Sequence, residues 1–287
     1  MKGQGVLFDL PPTEGKTLVF KPARAPFWTE NKAKLIARYL YYFVLITKHG
    51  AYVDGFAAPQ EREHTDSWSA KLVLESKPPF LREFWLCDVD PVGVGYLKRL
   101  AAEQPAIKNR SVHVVAGDFN RNVQKVLVSS NITDSTAAFC LLDQRTFDRE
   151  WKTLEALAAH KQTNKIELFY FLASGWLDRA IAATTVNTAQ IGKWWGNDDW
   201  GILQKMGMQE RANVIVKRFR QELGYTHAYA WPIYDRGSGG RVMYHMIHAT
   251  DHPEAPKIMH RAYRNATKAY EPVNEIQLEL LALFGKA

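Results

Sequence analysis

The sequence predicts a doubly wound α/β fold with a mostly parallel sheet, and three observations carry that prediction. Four apolar runs each close on an aspartate: residues 50–55 (GAYVDG), 83–90 (EFWLCDVD), 111–118 (SVHVVAGD) and 138–143 (AFCLLD). Their aspartates fall roughly 30 residues apart, about one βαβ unit each. Stretches of helical length lie between the runs, so strand and helix alternate five times in succession. A strand covered on both faces reads as a continuous apolar run, and parallel neighbours need a right-handed crossover between them. An acidic residue at the carboxyl end of such a strand sits where open α/β sheets bind nucleotides and related molecules.

The elements follow in order. Residues 31–47 (NKAKLIARYLYYFVLIT) have helical length, an asparagine near the start and apolar residues on more than one side, which predicts a helix buried against the sheet. Strand one follows at 51–55. Ser67 is placed to cap a helix running through 72–75, and Pro78-Pro79 closes that unit. Strand two is 84–88, with a helix over 92–103. Strand three is 112–116, with a helix over 120–128. Strand four, 138–142, leads into a helix over 149–160, and strand five, 166–172, into one beginning near Trp176. The remainder has another character. Residues 191–206 are dense in Trp and Gly, and 209–223 reads as a basic amphipathic helix. Two β-rich runs, 226–234 and 241–249, are joined by DRGSGG, which signals a hairpin with a glycine-containing turn of more than two residues. A helix over 252–268 closes the pattern. The expected organisation is an irregular arm over 1–28, one α/β domain over 29–270 with a Trp-rich basic elaboration at about 190–225, and a tail over 271–287.

Composition narrows the setting. The 287 residues are 46% apolar and 23% charged, and nine Trp, twelve Tyr and fourteen Phe supply a core. No run approaches the ~18 uninterrupted apolar residues of a membrane span, and the N-terminus lacks the apolar segment of a signal peptide. Cys87 and Cys140 each fall inside a predicted central strand. If those strands flank strand one, two strand spacings (roughly 9–10 Å) keep the thiols too far apart to bridge. A reduced, cytoplasmic protein without a membrane span is expected. The net charge is +7, and between Gly201 and Lys268 eleven Lys and Arg stand against five Asp and Glu. The excess therefore lies in the last third, and reads either as a solvated helical face or as a surface for an anionic partner such as nucleic acid.

Several residues are placed to carry chemistry. The loop Asp54-Gly55-Phe56-Ala57-Ala58-Pro59-Gln60 leaves strand one, where glycine would let the backbone approach a ligand and offer its amides. It holds one glycine, so it is not the GxGxxG fingerprint, and an ordinary βα turn is the competing reading. At the end of strand two, Asp88 and Asp90 offer two carboxylates. One is placed to accept ribose hydroxyls and the other to cap the next helix, whose first position is Pro91. Asp88 is assigned to the ligand and Asp90 to the cap. Asp118, after Gly117, is placed either to accept from an adenine amino group or to cap. His245, His248 and His252 suggest metal, but in a strand positions three apart face opposite sides, so no metal site is expected. Trp194, Trp195 and Trp200 beside Lys193 and Lys205 are placed either to stack bases or to build a core or interface contact.

The order YVDGFAAPQ, SAKLVLES, CDVDP, AGDFN and FCLLD resembles that of the three-Cys-motif partner proteins. So do the preceding KLIARYL helix, the WWGNDDW segment and the terminal RVMYHMIHATDHPEA, giving a resemblance from about Trp28 to about Asn265. It implies a class I methyltransferase-like fold that uses S-adenosylmethionine, together with a separate partner protein that carries the three cysteines. By that resemblance Asp54, Gly55 and Ala57 flank the methionine end of the cofactor, Asp88 holds the ribose and Asp118 the adenine. Asp143 sits beside the transferred methyl; in a methyltransferase built this way, Asp143 and the neighbouring Arg145 are expected to face the acceptor. Two departures stand out. Ala58 replaces the usual glycine of DGFAGP, so its methyl would strain the turn or block close approach. Asp143-Gln144-Arg145-Thr146 replaces the usual DPFG. The expected function is a methyltransferase acting on nucleic acid or a partner-defined substrate. The alternative is a catalytically lapsed member serving as a binding subunit for a partner protein or nucleic acid. A nuclease is disfavoured because the aspartates are spread over separate strand ends rather than gathered into a metal motif.

Overall fold

Each apolar run takes its place in one seven-stranded sheet. The computed structural model describes residues 27–59, 68–144, 147–183, 188–234 and 241–267. Its strands are β1 (Ala51–Asp54), β2 (Glu83–Asp88), β3 (Ser111–Ala116), β4 (Ala138–Leu142), β5 (Glu167–Leu172), β6 (His227–Tyr234) and β7 (Val242–Thr250). They stand in the order β3-β2-β1-β4-β5-β7-β6. β1 to β5 are mutually parallel, while β7 runs antiparallel to both of its neighbours, β5 and β6. This is the doubly wound, mostly parallel sheet with a C-terminal antiparallel strand pair that the sequence predicts. β1, β4 and β5 are buried along their whole length, as their unbroken apolar runs require, whereas the edge strand β3 is half-buried.

The helices are α1 (Phe27–Thr47), α2 (Ser69–Leu74), α3 (Pro91–Ala102), α4 (Phe119–Ser129), α5 (Trp151–Ala159), α6 (Ser174–Ala183), α7 (Thr188–Trp195), α8 (Met208–Gln221) and α9 (Ala255–Thr267). A 3-10 helix (Asp198–Lys205) joins α7 to α8. α1 starts at Phe27, inside the segment expected to be an irregular arm. α2 is preceded by Trp68, which makes no side-chain cap. The cap expected from Ser67 lies outside the described residues, as do residues 1–26, the DRGSGG turn and residues 268–287. No helix among the described residues is long and apolar enough to cross a membrane. Cys87 and Cys140 lie on the two strands flanking β1, and both are buried free thiols.

The Trp-rich segment belongs to the core. Trp194 and Trp195 are buried, Trp194 donates its indole N–H to the Tyr170 hydroxyl (2.8 Å), and half-buried Trp200 packs on the same cluster. The expected basic helix is α8, but its charge turns partly inward. The Arg218 guanidinium lies between the rings of Trp151 (3.7 Å) and Trp195 (4.1 Å) and donates twice to Glu222 (2.6 Å each). Arg211 is buried and donates to the Leu203 carbonyl (2.8 Å).

Gly196 ends α7 with φ +96°, and a Cβ there would sit 2.7 Å from the Trp151 side chain. Gly196→Ala is expected to cost roughly 1–3 kcal/mol in denaturant unfolding through strain and overpacking. An unchanged midpoint would contradict this packing of α7 on Trp151.

Candidate functional site at the carboxyl edge of the sheet

The chain runs outward from β1 to β2 and β3, then returns to β4 on the other side of β1. Such a reversal opens a crevice at the carboxyl ends of the two strands. Asp54, the last residue of β1, lies there at 1% exposure. It accepts hydrogen bonds from the Tyr52 hydroxyl (2.8 Å) and the Phe56 amide (3.1 Å). Burial, and to a lesser extent the carboxylates of Asp143 and Asp88, raises its pKa to about 7 against the opposing pull of those two hydrogen bonds.

The loop after β1 is stitched to its neighbours. The Gly55 amide donates to the Leu141 carbonyl (3.1 Å), Ala57 to Cys87 (2.8 Å) and Ala58 to Asp88 Oδ2 (2.9 Å). The Trp68 indole donates to the Ala57 carbonyl (2.6 Å). The amides of residues 55–58 therefore all reach protein acceptors. A Cβ on Gly55 would lie 2.7 Å from the Phe119 ring, so α4 closes on the loop only because that residue is glycine. The strain expected at Ala58 is absent. Among the described residues, positive φ outside glycine occurs only at Lys48, Asn109 and Asn164. The Ala58 methyl instead faces Gly93 in the first turn of α3, where a Cβ would approach it to 2.5 Å. Glycine on α3 takes up the methyl added in the loop.

The remaining aspartates divide into two kinds. Asp90 caps α3, accepting from the amides of Val92 (3.2 Å) and Gly93 (3.1 Å). Asp118 caps α4, accepting from the Asn120 amide and side chain (2.9 Å each), with Arg121 at 3.9 Å. Asp88 is half-buried and holds one amide on each oxygen, Ala58 and Asp90 (2.9 Å each). A carboxylate has about four lone-pair positions, so Asp88 keeps capacity for a further donor.

Asp143, just beyond β4, is engaged by a residue the sequence reading did not single out. Lys32 Nζ reaches from α1 to its two carboxylate oxygens at 2.7 and 2.6 Å, and the side chains are only 3% and 11% exposed. The ammonium also lies over the rings of Phe171 (4.7 Å) and Tyr244 (5.3 Å). A signal for it was present: Lys32 shares the face of α1 that carries Ile36, Tyr39 and Phe43, and a lysine on an apolar helical face needs a buried counter-charge. Gln144 donates to the Phe171 carbonyl (2.7 Å), while its own side-chain oxygen is buried without a partner. Arg145 lies outside the described residues. Lys32, Asp54, Ala57, Ala58, Trp68 and Asp143 line a cleft with room for about 20 Å³, roughly one water.

The histidines separate as strand geometry demands. His245 meets Ser174 Oγ (2.7 Å) and Gln209 Oε1 (3.1 Å), and burial lowers its pKa to about 4. His248 contacts Glu167 (2.9 Å), which also accepts from Tyr39 and from Thr250 (3.0 Å). Among the described residues no group of three His, Cys, Asp or Glu side chains is placed to hold a metal ion.

No protein-family model matches the chain, and neither does any curated protein. Among solved structures, a Legionella pneumophila protein assigned to the family model DUF519 is similar at TM-score 0.47 and 10% identity, over 85% of this chain and 93% of that one. A Thermobifida fusca protein described as a "putative methyltransferase" is similar at TM-score 0.42 and 13% identity, over 77% of this chain and 80% of that one. Neither likeness assigns a role to any residue.

An unfolded aspartate ionises near 3.9 and the folded Asp54 at about 7. Its contribution to stability is therefore full below about pH 4 and is lost as pH rises through 7. Asp54→Asn removes that loss. Relative to the parent, the variant should gain up to about 4 kcal/mol between pH 4 and pH 8 in denaturant unfolding. A stability difference independent of pH would refute the buried, proton-binding carboxyl group.

Proposed function

We propose that the chain binds S-adenosylmethionine at the carboxyl ends of β1, β2 and β4 and transfers its methyl group to nucleic acid or to a substrate defined by a partner protein. One observation carries the reading: Asp54, Asp88 and Asp143 converge around the loop after β1, at the point where strand order reverses. In this reading Asp54, Gly55 and Ala57 flank the methionine end. Asp88 accepts the ribose hydroxyls through its remaining lone pairs, and Asp118 meets the adenine amino group from its capping position. Asp143 and Arg145 face the acceptor. The sulfonium is already activated, so alignment of acceptor and methyl does most of the work, and the protein needs no nucleophile of its own.

The resemblance to the three-Cys-motif partner proteins supports a protein partner that supplies or presents the acceptor. Exposed Lys205, Lys217, Arg261 and Arg264 support a nucleic-acid surface in the last third, although Arg211 and Arg218 are withdrawn from it. Two buried free thiols fit a reducing, cytoplasmic setting. A second reading, a lapsed enzyme that keeps the fold as a binding subunit, is favoured by the narrow cleft and by the Lys32 ammonium already seated on Asp143.

Calorimetric titration with S-adenosylmethionine and S-adenosylhomocysteine separates the two. The methyltransferase reading expects binding to the parent protein and at least ten-fold weaker binding to a folded Asp88→Ala variant. No binding of either compound to a folded sample leaves the lapsed reading. If the last third holds nucleic acid, the logarithm of the binding constant falls steeply with the logarithm of salt concentration. A flat salt response, or no binding at low salt, removes that surface.

A further inference from the structure

Asp88 and Asp143 stand at the ends of β2 and β4, on either side of β1, and are neutralised in different ways. Asp88 is held by two backbone amides. Asp143 receives a full positive charge from a distant helix, and both of its oxygens lie within 2.7 Å of Lys32 Nζ. That ammonium is almost wholly withdrawn into the protein interior, where charges act on one another far more strongly than in water. The rings of Phe171 and Tyr244 complete its surroundings. A point that meets a carboxylate and two aromatic faces is an environment for a cation, and the Lys32 ammonium is the cation now at it. Its neighbours along the same cleft are Asp54, Ala57 and Ala58, the residues that would flank the methionine end of the cofactor.

The two forms of the cofactor differ in charge at that end. S-adenosylmethionine carries a sulfonium, and S-adenosylhomocysteine a neutral thioether. We propose that Lys32 and Asp143 form a charge-selecting pair that sets the preference of the site between them. Lys32 lowers the affinity for the sulfonium and Asp143 raises it. Lys32 is thus a specificity-determining residue for ligand charge, supplied by α1 rather than by the loops of the sheet. The inference rests on the cofactor reading above.

The test is a titration of the full chain and of the variants Lys32→Met and Asp143→Asn with both compounds. The quantity read is the ratio of the Kd for S-adenosylmethionine to that for S-adenosylhomocysteine. Lys32→Met should lower the ratio ten-fold or more, and Asp143→Asn should raise it ten-fold or more. Equal ratios in all three proteins, or shifts in the same direction, overturn the charge-selecting pair while the cofactor reading stands, because ligand still binds. Absence of binding to the parent and both variants overturns the pair and the cofactor reading together. If Lys32→Met fails to fold with Asp143 left alone, the double variant replaces it. Adding Lys32→Met to Asp143→Asn should lower the ratio ten-fold or more relative to Asp143→Asn, and no change would sink the proposal.

Discussion

The carboxyl edge of this protein depends on β1, four residues that must be buried on every side. β1 pairs with β2 through one edge and with β4 through the other, and all four of its residues are buried. Tyr52 lies parallel to the Phe139 ring of β4, at 6.0 Å, and its hydroxyl turns to Asp54. The run AYVD thus does two things at once. Its apolar part anchors the centre of the sheet, and its final residue carries a carboxyl group into that centre. Strand order reverses at the same place, so the chain leaves on opposite sides and a crevice opens over Asp54. Burial opposes the charge of this group, which keeps its proton to about pH 7.

A repeated sequence pattern receives several physical solutions around that strand. Asp90 and Asp118 are spent on helix N-termini. Asp88 gathers two backbone amides and so ties the loop after β1 to the end of β2. Asp143 is countered by Lys32, and Asp54 by its own proton. Similar carboxyl groups at similar strand ends differ because the donors reaching them differ. Those donors come from α1, β1, α3, α4 and the loops after β1 and β2. The arrangement also explains why α1 matters to the edge: it covers the sheet with Ile36 and Tyr39, and from the same face sends an ammonium into the crevice.

Much of the fold was legible in the sequence because the signals were continuous. Strands buried on both faces appear as unbroken runs, and β4 occupies residues 138–142 as expected. Asp90 could be read as a cap because Pro91 follows it. What escaped depends on contacts between distant elements. Ala58 looked like a strained substitution, but Gly93 of the next βα unit makes room for its methyl. Lys32 is one of several charged residues on α1, and its partner Asp143 lies 111 positions further along the chain. A charge count over the last third registers Arg211 and Arg218, yet it carries no information that one caps a carbonyl and the other lies between two indoles. At the site, the positions of Asp54, Asp88 and Asp143 followed from strand ends, while the ways in which they are neutralised did not.

The central claim, that the reversal beside β1 is where an S-adenosyl ligand sits, is tested most directly by a crystal structure grown with S-adenosylhomocysteine. The account expects ligand density over the carboxyl ends of β1 and β4, with the ribose beside Asp88. Density in the cavity of about 220 Å³ at the opposite end of the strands, where Tyr39, Glu167 and Thr250 meet Ile258 of α9, would contradict it.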